Sequence, residues 1–442
     1  MLIEQFYDDN LAHASYVIIS NGDAAVIDPA RDPYPYLDFI SKNEAQLKAI
    51  IETHPHADFV SSHLELHKKT NADIYVGKLV GVFYPHKGVE DGDEIILGSI
   101  RLKFILTPGH SPDSISIIVY NKDNKPYALL SGDTLFVGDV GRPDLRESAG
   151  NISKKREELA GAMFDTVQTK LKTLNDDILV YPAHGAGSLC GKALSDARFS
   201  TIGREKTQNY AFQISDKTEF INSLLQDQPF IPAYFGYDVE LNRIGAPDFY
   251  ESINAIPKLD SNTEIPENST IVDVRERKEF RKKHIKNSIN IFQDTKFETW
   301  LGTLVNPNEK FYLICNSKDD FDKILKRTAK IGYEVNVLGI LTLPEKASFV
   351  SDELDLKHFR ENTDSYTIID VRNPSETSKG LKFNNAMAIP LSELRIKMDI
   401  IPHDKPVVVH CAGGYRSAIA LSIVENKIKN KVFDLGEEVK SY

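Results

Sequence analysis

Thr53-His54-Pro55-His56-Ala57-Asp58-Phe59 is the stretch on which the fold of this chain turns. An apolar run, Leu47 to Ile51, precedes it and reads as a buried strand; a helix is expected after it, from about Val60 to Lys69. Loops leaving the carboxyl ends of strands are where α/β proteins gather ligands and reacting groups. Two histidines at i, i+2 and an aspartate at i+4 make this loop a dense set of metal donors, with the apolar Phe59 directly behind them. A site built on it needs partners from elsewhere in the chain.

The partners arrive on one pattern: strand, tight Gly or Pro turn, polar residue. Ile100 to Leu106 reads as a strand ending in Thr107-Pro108-Gly109-His110, and Ala128 to Leu130 as one ending in Ser131-Gly132-Asp133. Ile178 to Tyr181 leads to Pro182-Ala183-His184-Gly185. Upstream, Tyr16 to Ile19 and Ala24 to Ile27 form a hairpin across Asn21-Gly22, a dipeptide that favours the primed two-residue turn. Helices are expected over Pro35 to Ala45 and from roughly Lys154 to Leu174. Strands from both halves thus deliver His54, His56, Asp58, His110, Asp133 and His184. That suggests two sheets meeting at one edge with helices outside, although periodicity alone leaves a single mixed sheet open.

The chain has 442 residues, more than one typical domain. Its 41% apolar and 26% charged content is ordinary for a globular protein. A formal net charge of -11 removes the electrostatic ground for binding nucleic acid or an anionic membrane. No cationic leader and no apolar run of membrane-spanning length is visible, so a cytoplasmic protein is expected. Cys190, Cys315 and Cys411 are too far apart for a disulfide framework and fit a reducing compartment.

His54-Pro55-His56-Ala57-Asp58, with His110, Asp133 and His184 to follow, closely resembles the metallo-β-lactamase superfamily over about residues 1–240. The departure is Phe59, which stands where the usual motif has another histidine, a ligand of the second ion in two-metal members. A hydrocarbon ring has no lone pair to give, so a full second site is not expected. Glu52-Thr53-His54-Pro55-His56-Ala57-Asp58, Thr107-Pro108-Gly109-His110, and Ser131-Gly132-Asp133 with Gly138-Asp139-Val140-Gly141-Arg142-Pro143-Asp144 look like the persulfide dioxygenase subgroup. That resemblance implies an N-terminal αββα sandwich and one Fe(II) held by His56, His110 and Asp133, with His54, Asp58 and His184 beside it. A face of two histidines and one carboxylate leaves positions open for O₂ and a thiolate-like substrate. The same donors also suit zinc, and the sequence alone does not choose. Arg142 is a candidate for a substrate carboxylate, against the plainer reading of an arginine paired with Asp139 or Asp144. Cys190, after the Gly-rich turn that follows His184, is either core filler or a thiol that relays sulfane sulfur.

Behind a polar, turn-prone linker the chain repeats itself. Thr270-Ile271-Val272-Asp273-Val274-Arg275 returns as Thr367-Ile368-Ile369-Asp370-Val371-Arg372, an internal repeat of about 97 residues. Each copy continues to an apolar strand ending in cysteine, Phe311 to Cys315 and Val407 to Cys411. Cys411-Ala412-Gly413-Gly414-Tyr415-Arg416 puts a sulfur at the start of an apolar helix, facing backbone N–H groups and an arginine that stabilise negative charge. It is similar to the rhodanese family's active loop. That similarity implies Cys411 as sulfur acceptor, Arg416 as catalytic partner, and Gly413, Gly414 and Tyr415 as the anion loop. Cys315 is followed by Asn316-Ser317-Lys318-Asp319-Asp320, with neither glycine nor arginine, so the first copy is expected to be inactive. At Gly436-Glu437-Glu438 relatives often have a second glycine and an aromatic residue, and weaker support for the Cys411 loop is expected.

The expected organisation is therefore a metallo-β-lactamase-like domain over residues 1–250, a degenerate rhodanese-like domain over 265–348 and an active one over 352–442. Together the resemblances imply an enzyme that oxidises a small thiol persulfide with O₂ to sulfite and then forms thiosulfate at Cys411. The thiol carrier is open, and a homo-oligomer is expected. Two rivals stay in view: a zinc-dependent glyoxalase-II-like thioester hydrolase, and a non-catalytic persulfide sensor.

Overall fold

The computed structural model describes residues 1–145, 155–192 and 194–442. Alternation of apolar residues builds the N-terminal part. Six strands form the first sheet in sequence order: β1 (Leu2–Asp8), β2 (His13–Ser20), β3 (Asp23–Ile27), β4 (Gln46–Glu52), β5 (Asp73–Gly77) and β6 (Lys87–Val89). Asn21 and Gly22 both take positive φ, 52° and 83°, so the expected primed turn joins β2 to β3. The second sheet runs β7 (Glu94–Leu97), β8 (Ile100–Leu106), β9 (Ile115–Tyr120), β10 (Pro126–Gly132), β11 (Leu179–Pro182) and β12 (Ser200–Thr201), again with sequence neighbours paired.

Every second residue of the central strands enters a shared core. Tyr16 and Ile18 of β2, Ala49 and Ile51 of β4, Leu102 and Phe104 of β8, and Ala128 and Leu130 of β10 pack in one cluster between the sheets. The alternate residues face outward under helices. Val17, Val26 and Ile50 pack with Ile40 and Leu66 from the helices Tyr34–Lys42 and His63–Thr70. Ile118, Leu129 and Val180 pack with Met163 from the helix Arg156–Thr166. The layers are thus helices, sheet, sheet, helices. The sheets also meet at one edge, where His13 at the start of β2 bridges His184, and the Ala14 N–H donates to the Ala183 carbonyl at 2.7 Å. The long helix expected from Lys154 changes character: a π-helical segment, Val167–Leu171, follows the α-helix, and Lys154 itself lies outside the described residues.

The repeat is visible as two four-stranded parallel sheets. One has the order β14 (Ser288–Asn290), β13 (Thr270–Asp273), β15 (Phe311–Cys315), β16 (Val337–Thr342). The other is β18 (Met387–Ala388), β17 (Thr367–Asp370), β19 (Val407–His410), β20 (Val432–Asp434), the same order shifted by one repeat. Each carries the same clamp at the end of its first strand. Arg275 pairs with Asp273 at 2.7 Å and donates to the Lys283 carbonyl; Arg372 pairs with Asp370 at 2.6 Å and donates to the Gly380 carbonyl.

The chain divides into two compact units. The first holds Met1–Ser252 with Ala329–Gly332, and the second holds Ile253–Thr328 and Tyr333–Tyr442, which includes both repeats. Among the described residues no helix is long and apolar enough to cross a membrane.

Candidate functional site

The first site begins with Asp28. It ends β3 in a left-handed conformation, φ 50°, that turns its carboxylate toward the end of β4. There Oδ1 accepts from the Thr53 N–H at 2.7 Å and Oδ2 from the Thr53 hydroxyl at 2.8 Å. The Thr53 proton is thereby committed, so its Oγ1 accepts from His54 Nδ1 at 3.0 Å, which makes Nδ1 the protonated nitrogen of His54. His110 is fixed the same way: its Nδ1 donates to the Arg142 carbonyl at 2.8 Å. Both rings then turn Nε2 toward Asp133 Oδ2, at 3.7 Å for His54 and 3.5 Å for His110. Gly132, at φ 54°, lets β10 approach this closely, because a Cβ there would lie 2.6 Å from Thr53 Oγ1.

Donor atoms of His54, His110 and Asp133 lie within 4.8 Å of one another, all buried. Asp133 Oδ2 is buried without a hydrogen-bond partner, an arrangement that costs free energy unless a cation completes it. Asp133 Oδ1 is already taken by His184 Nδ1 at 2.7 Å, and His184 Nε2 lies 2.8 Å from Asp58 Oδ2. Burial alone would raise the Asp133 carboxyl, but His184, His110 and His54 hold it well below the usual carboxylate range. Burial likewise works against charge on His184, and the Asp133 and Asp58 carboxylates outweigh it, raising that imidazole well above its ordinary value. The residues fit one metal ion, bound through two imidazole nitrogens and one carboxylate oxygen.

Of the expected trio, His110 and Asp133 are brought together, but the histidine beside them is His54. His56 faces the other way. Its Nε2 lies 3.1 Å from Asp28 Oδ1 and 3.7 Å from Glu52 Oε2, in a separate buried group. His56, Asp28 and Glu52 thus form a buried group of possible donors of their own. Burial pushes Glu52 up to about 8, against the pull of His56. Phe59 is 1% exposed; its ring lies against His13 at 3.8 Å and His56 at 4.3 Å, where it closes off the space with hydrocarbon. His13 went unremarked in the sequence because only the tertiary register sets it opposite His184.

Asp58, His184 and Cys190 form a third buried group of possible donors. Burial, then Asp58 and Asp133, push the Cys190 thiol well up, so it sits there as a neutral thiol. Arg142 is not open to a substrate. It is 1% exposed, holds Asp144 through Nε at 2.6 Å and Nη2 at 2.7 Å, and donates to the Leu189 carbonyl. That is the pairing with Asp144 of the plainer reading.

The second site lies at the end of β19. Cys411 is buried and its sulfur accepts the Gly414 N–H at 3.1 Å, with Ser417 Oγ 3.6 Å away. Gly414 has φ 92° and caps the helix Tyr415–Glu425, whose first turn faces the sulfur's end of the strand. Gly413 is exposed at the loop mouth. Arg416 is held by Glu376 through both guanidinium nitrogens, Nη2 at 2.9 Å from Oε1. Tyr415 does not turn its ring to the cradle: it packs on Phe292 at 4.7 Å, and only its backbone belongs to the loop. Cys315 ends β15 fully buried, burial pushes its thiol up, and a short 3₁₀ turn, Lys318–Asp320, replaces the cradle.

Comparison with known proteins places this geometry. Residues 8–184 match the metallo-beta-lactamase superfamily, and residues 258–340 and 353–442 each match the rhodanese-like domain. A metallo-beta-lactamase structure from Staphylococcus aureus subsp. aureus COL is 33% identical, with a TM-score of 0.71, and the alignment covers 77% of this chain and 99% of that one. The chain belongs to the metallo-β-lactamase superfamily. Its superfamily domain is followed by two rhodanese-like domains, and it carries the buried metal-binding site characteristic of the superfamily. Hydroxyacylglutathione hydrolase from Francisella tularensis subsp. novicida (strain U112) is 31% identical over 180 residues, 40% of this superfamily member. The chain spans 65% of that curated relative's length. The structure of ETHE1 from Myxococcus xanthus is 26% identical over 55% of this chain and 98% of its own, with a TM-score of 0.47.

Proposed function

We propose that this protein is an iron-dependent persulfide dioxygenase coupled to a thiosulfate-forming sulfurtransferase. The observation that carries the reading is the pairing, in one chain, of a buried group of two histidines and one carboxylate with a cysteine seated under a backbone N–H at a helix start. Iron(II) bound by His54, His110 and Asp133 would supply open positions for O₂ and a sulfur anion, and a path by which the four electrons given up by the sulfane sulfur reach O₂. The chain's own residues orient and hold. Thr53 and the Arg142 carbonyl fix the two imidazoles, and His184 occupies Asp133 Oδ1 so that Oδ2 is left for the ion. Burial of the whole group keeps bulk water from the reacting sulfur. In the balance, a persulfide R–S–SH with O₂ and water gives R–SH and sulfite.

At the second site, the Cys411 thiolate attacks the outer sulfur of another persulfide, the S–S bond breaks, and the small thiolate leaves. The sulfur lone pair of sulfite then attacks the outer sulfur on Cys411. Thiosulfate departs and the Cys411 thiolate returns to its Gly414 N–H. Carrying both activities in one chain raises the sulfite concentration at Cys411. Cys411→Ser tests the coupling: with persulfide and O₂ it consumes O₂ at the wild-type rate, accumulates sulfite and makes no thiosulfate. Unchanged thiosulfate output would sink the coupled reading.

The likeness to hydroxyacylglutathione hydrolase favours a second reading, thioester hydrolysis on zinc. Phe59 speaks against its two-metal form. Hydrolysis of a glutathione thioester by zinc-loaded protein, with no O₂ uptake by iron-loaded protein, would establish it instead.

A further inference from the structure

The first rhodanese-like domain has lost its own loop, yet it reaches the loop of the second. Both domains lie in the same compact unit. Arg277, at the start of the helix Arg277–Lys282, donates through Nη1 to the Gly414 carbonyl at 3.3 Å and through Nη2 to Glu437 Oε1 at 3.0 Å. A Cβ on Gly414 would lie 3.1 Å from that guanidinium nitrogen and 3.0 Å from the Gly436 carbonyl carbon. The turn over Cys411 is therefore gripped between the neighbouring domain and the C-terminal segment. One helical turn on, Arg281 pairs with Asp434, whose Oδ1 accepts the Gly436 N–H at 2.7 Å, so the same helix braces the other jaw. Phe292 under Tyr415, and the Asn290 N–H donating to Ser422 at 2.9 Å, fix the helix that begins at the loop.

Arg416, the arginine inside the loop, is committed to Glu376. The guanidinium that touches the loop backbone comes instead from the other domain. The Gly414 carbonyl and the Tyr415 N–H belong to one planar peptide and point in opposite directions. A cation on that oxygen polarises the N–H at the helix start, the place where an anion is held.

We propose that Arg277 is a positioning residue for the Cys411 site, and that through the Gly414 carbonyl it sets the loop's preference for doubly charged sulfur oxyanions. The proposal rests on reading Cys411 as the sulfur acceptor. It gives the domain without an active loop a part in substrate choice.

The test uses the full-length protein and follows the gain of one sulfur atom on Cys411 by mass spectrometry. The sulfur donors are thiosulfate, a dianion, and a singly charged alkyl persulfide. Arg277→Ala should raise the half-saturating thiosulfate concentration about tenfold, the loss of one charge-assisted contact, and change that for the alkyl persulfide by about twofold or less. The maximal loading rate should stay within about twofold, and Arg277→Lys should recover part of the thiosulfate affinity but not all, because it restores the charge without the fork. Wild-type half-saturation for thiosulfate in Arg277→Ala overturns the assignment of Arg277 and leaves Cys411 as acceptor. Equal losses for both donors also overturn it, since they mark a merely structural contact. If wild-type Cys411 gains no sulfur from either donor, the acceptor reading falls and this inference falls with it.

Discussion

His54 and His56 stand two residues apart, and the difference between them is which carboxylate each faces. His54 Nδ1 is used by Thr53, leaving Nε2 to face Asp133; His56 Nε2 lies 3.1 Å from Asp28 Oδ1. His54→Ala should therefore lose the bound metal, while His56→Ala should retain it in purified protein, as elemental analysis would show. The second variant removes the imidazole between Asp28 and Glu52, which keep Thr53 and Ser61 as donors, and should unfold more easily by roughly 1–3 kcal/mol in urea titration. Equal metal loss in both would contradict the geometry. The sequence revealed the ligand cluster but not which of these two histidines belongs to the trio. An i, i+2 pair in a loop has no fixed face, and the residue that decides, Asp28, lies one sheet strand away. Arg142 misled for a related reason: nothing local shows that the Asp144 carboxylate folds back onto it.

At the scale of elements, what was legible was alternation. Strands such as Ile100–Leu106 and Phe311–Cys315 fall where their apolar pattern put them, alternating in the first and nearly continuous in the second, because burial on one face or two is recorded in the residues themselves. Element ends were less legible, since they depend on contacts that come from other elements. The helix Tyr415–Glu425 illustrates this. Its last residue, Glu425, is 16% exposed and places Oε1 3.4 Å from His284 Nε2 in the first repeat. His284 Nδ1 donates to the Phe280 carbonyl at 2.9 Å, so Nε2 is an acceptor and Glu425 faces it best when protonated. Burial accordingly raises Glu425 from 4.5 to about 7. A carboxyl raised on folding contributes stability that is complete below its unfolded value and is lost as pH rises through the folded one. Glu425→Gln keeps the donor and removes the charge. It should match the wild type near about pH 4 and exceed it by up to roughly 3 kcal/mol near about pH 9, read from urea midpoints at the two pH values. A constant offset at both would refute the assignment.

For the whole molecule, the metal centre and the Cys411 cradle belong to different compact units, each with its own packed cores. A ligand that binds only one folded unit stabilises that unit by mass action, about 2.7 kcal/mol at a hundredfold excess over the dissociation constant. Chelation should therefore lower one calorimetric transition and leave the other in place; a common shift of both would mean that the units unfold together. The repeat in the second unit has a further consequence. Asp273 with Arg275, and Asp370 with Arg372, keep the same clamp at the same strand end, although only Cys411 of the two following cysteines accepts a backbone N–H from a glycine turn. The strand-end clamp and the cysteine turn are thus separable parts: the first repeat holds the one without the other, and still reaches the Gly414 carbonyl of its twin. The first repeat stands as a spare chassis, into which a six-residue turn grafted behind Cys315 would meet a strand end already braced to receive it.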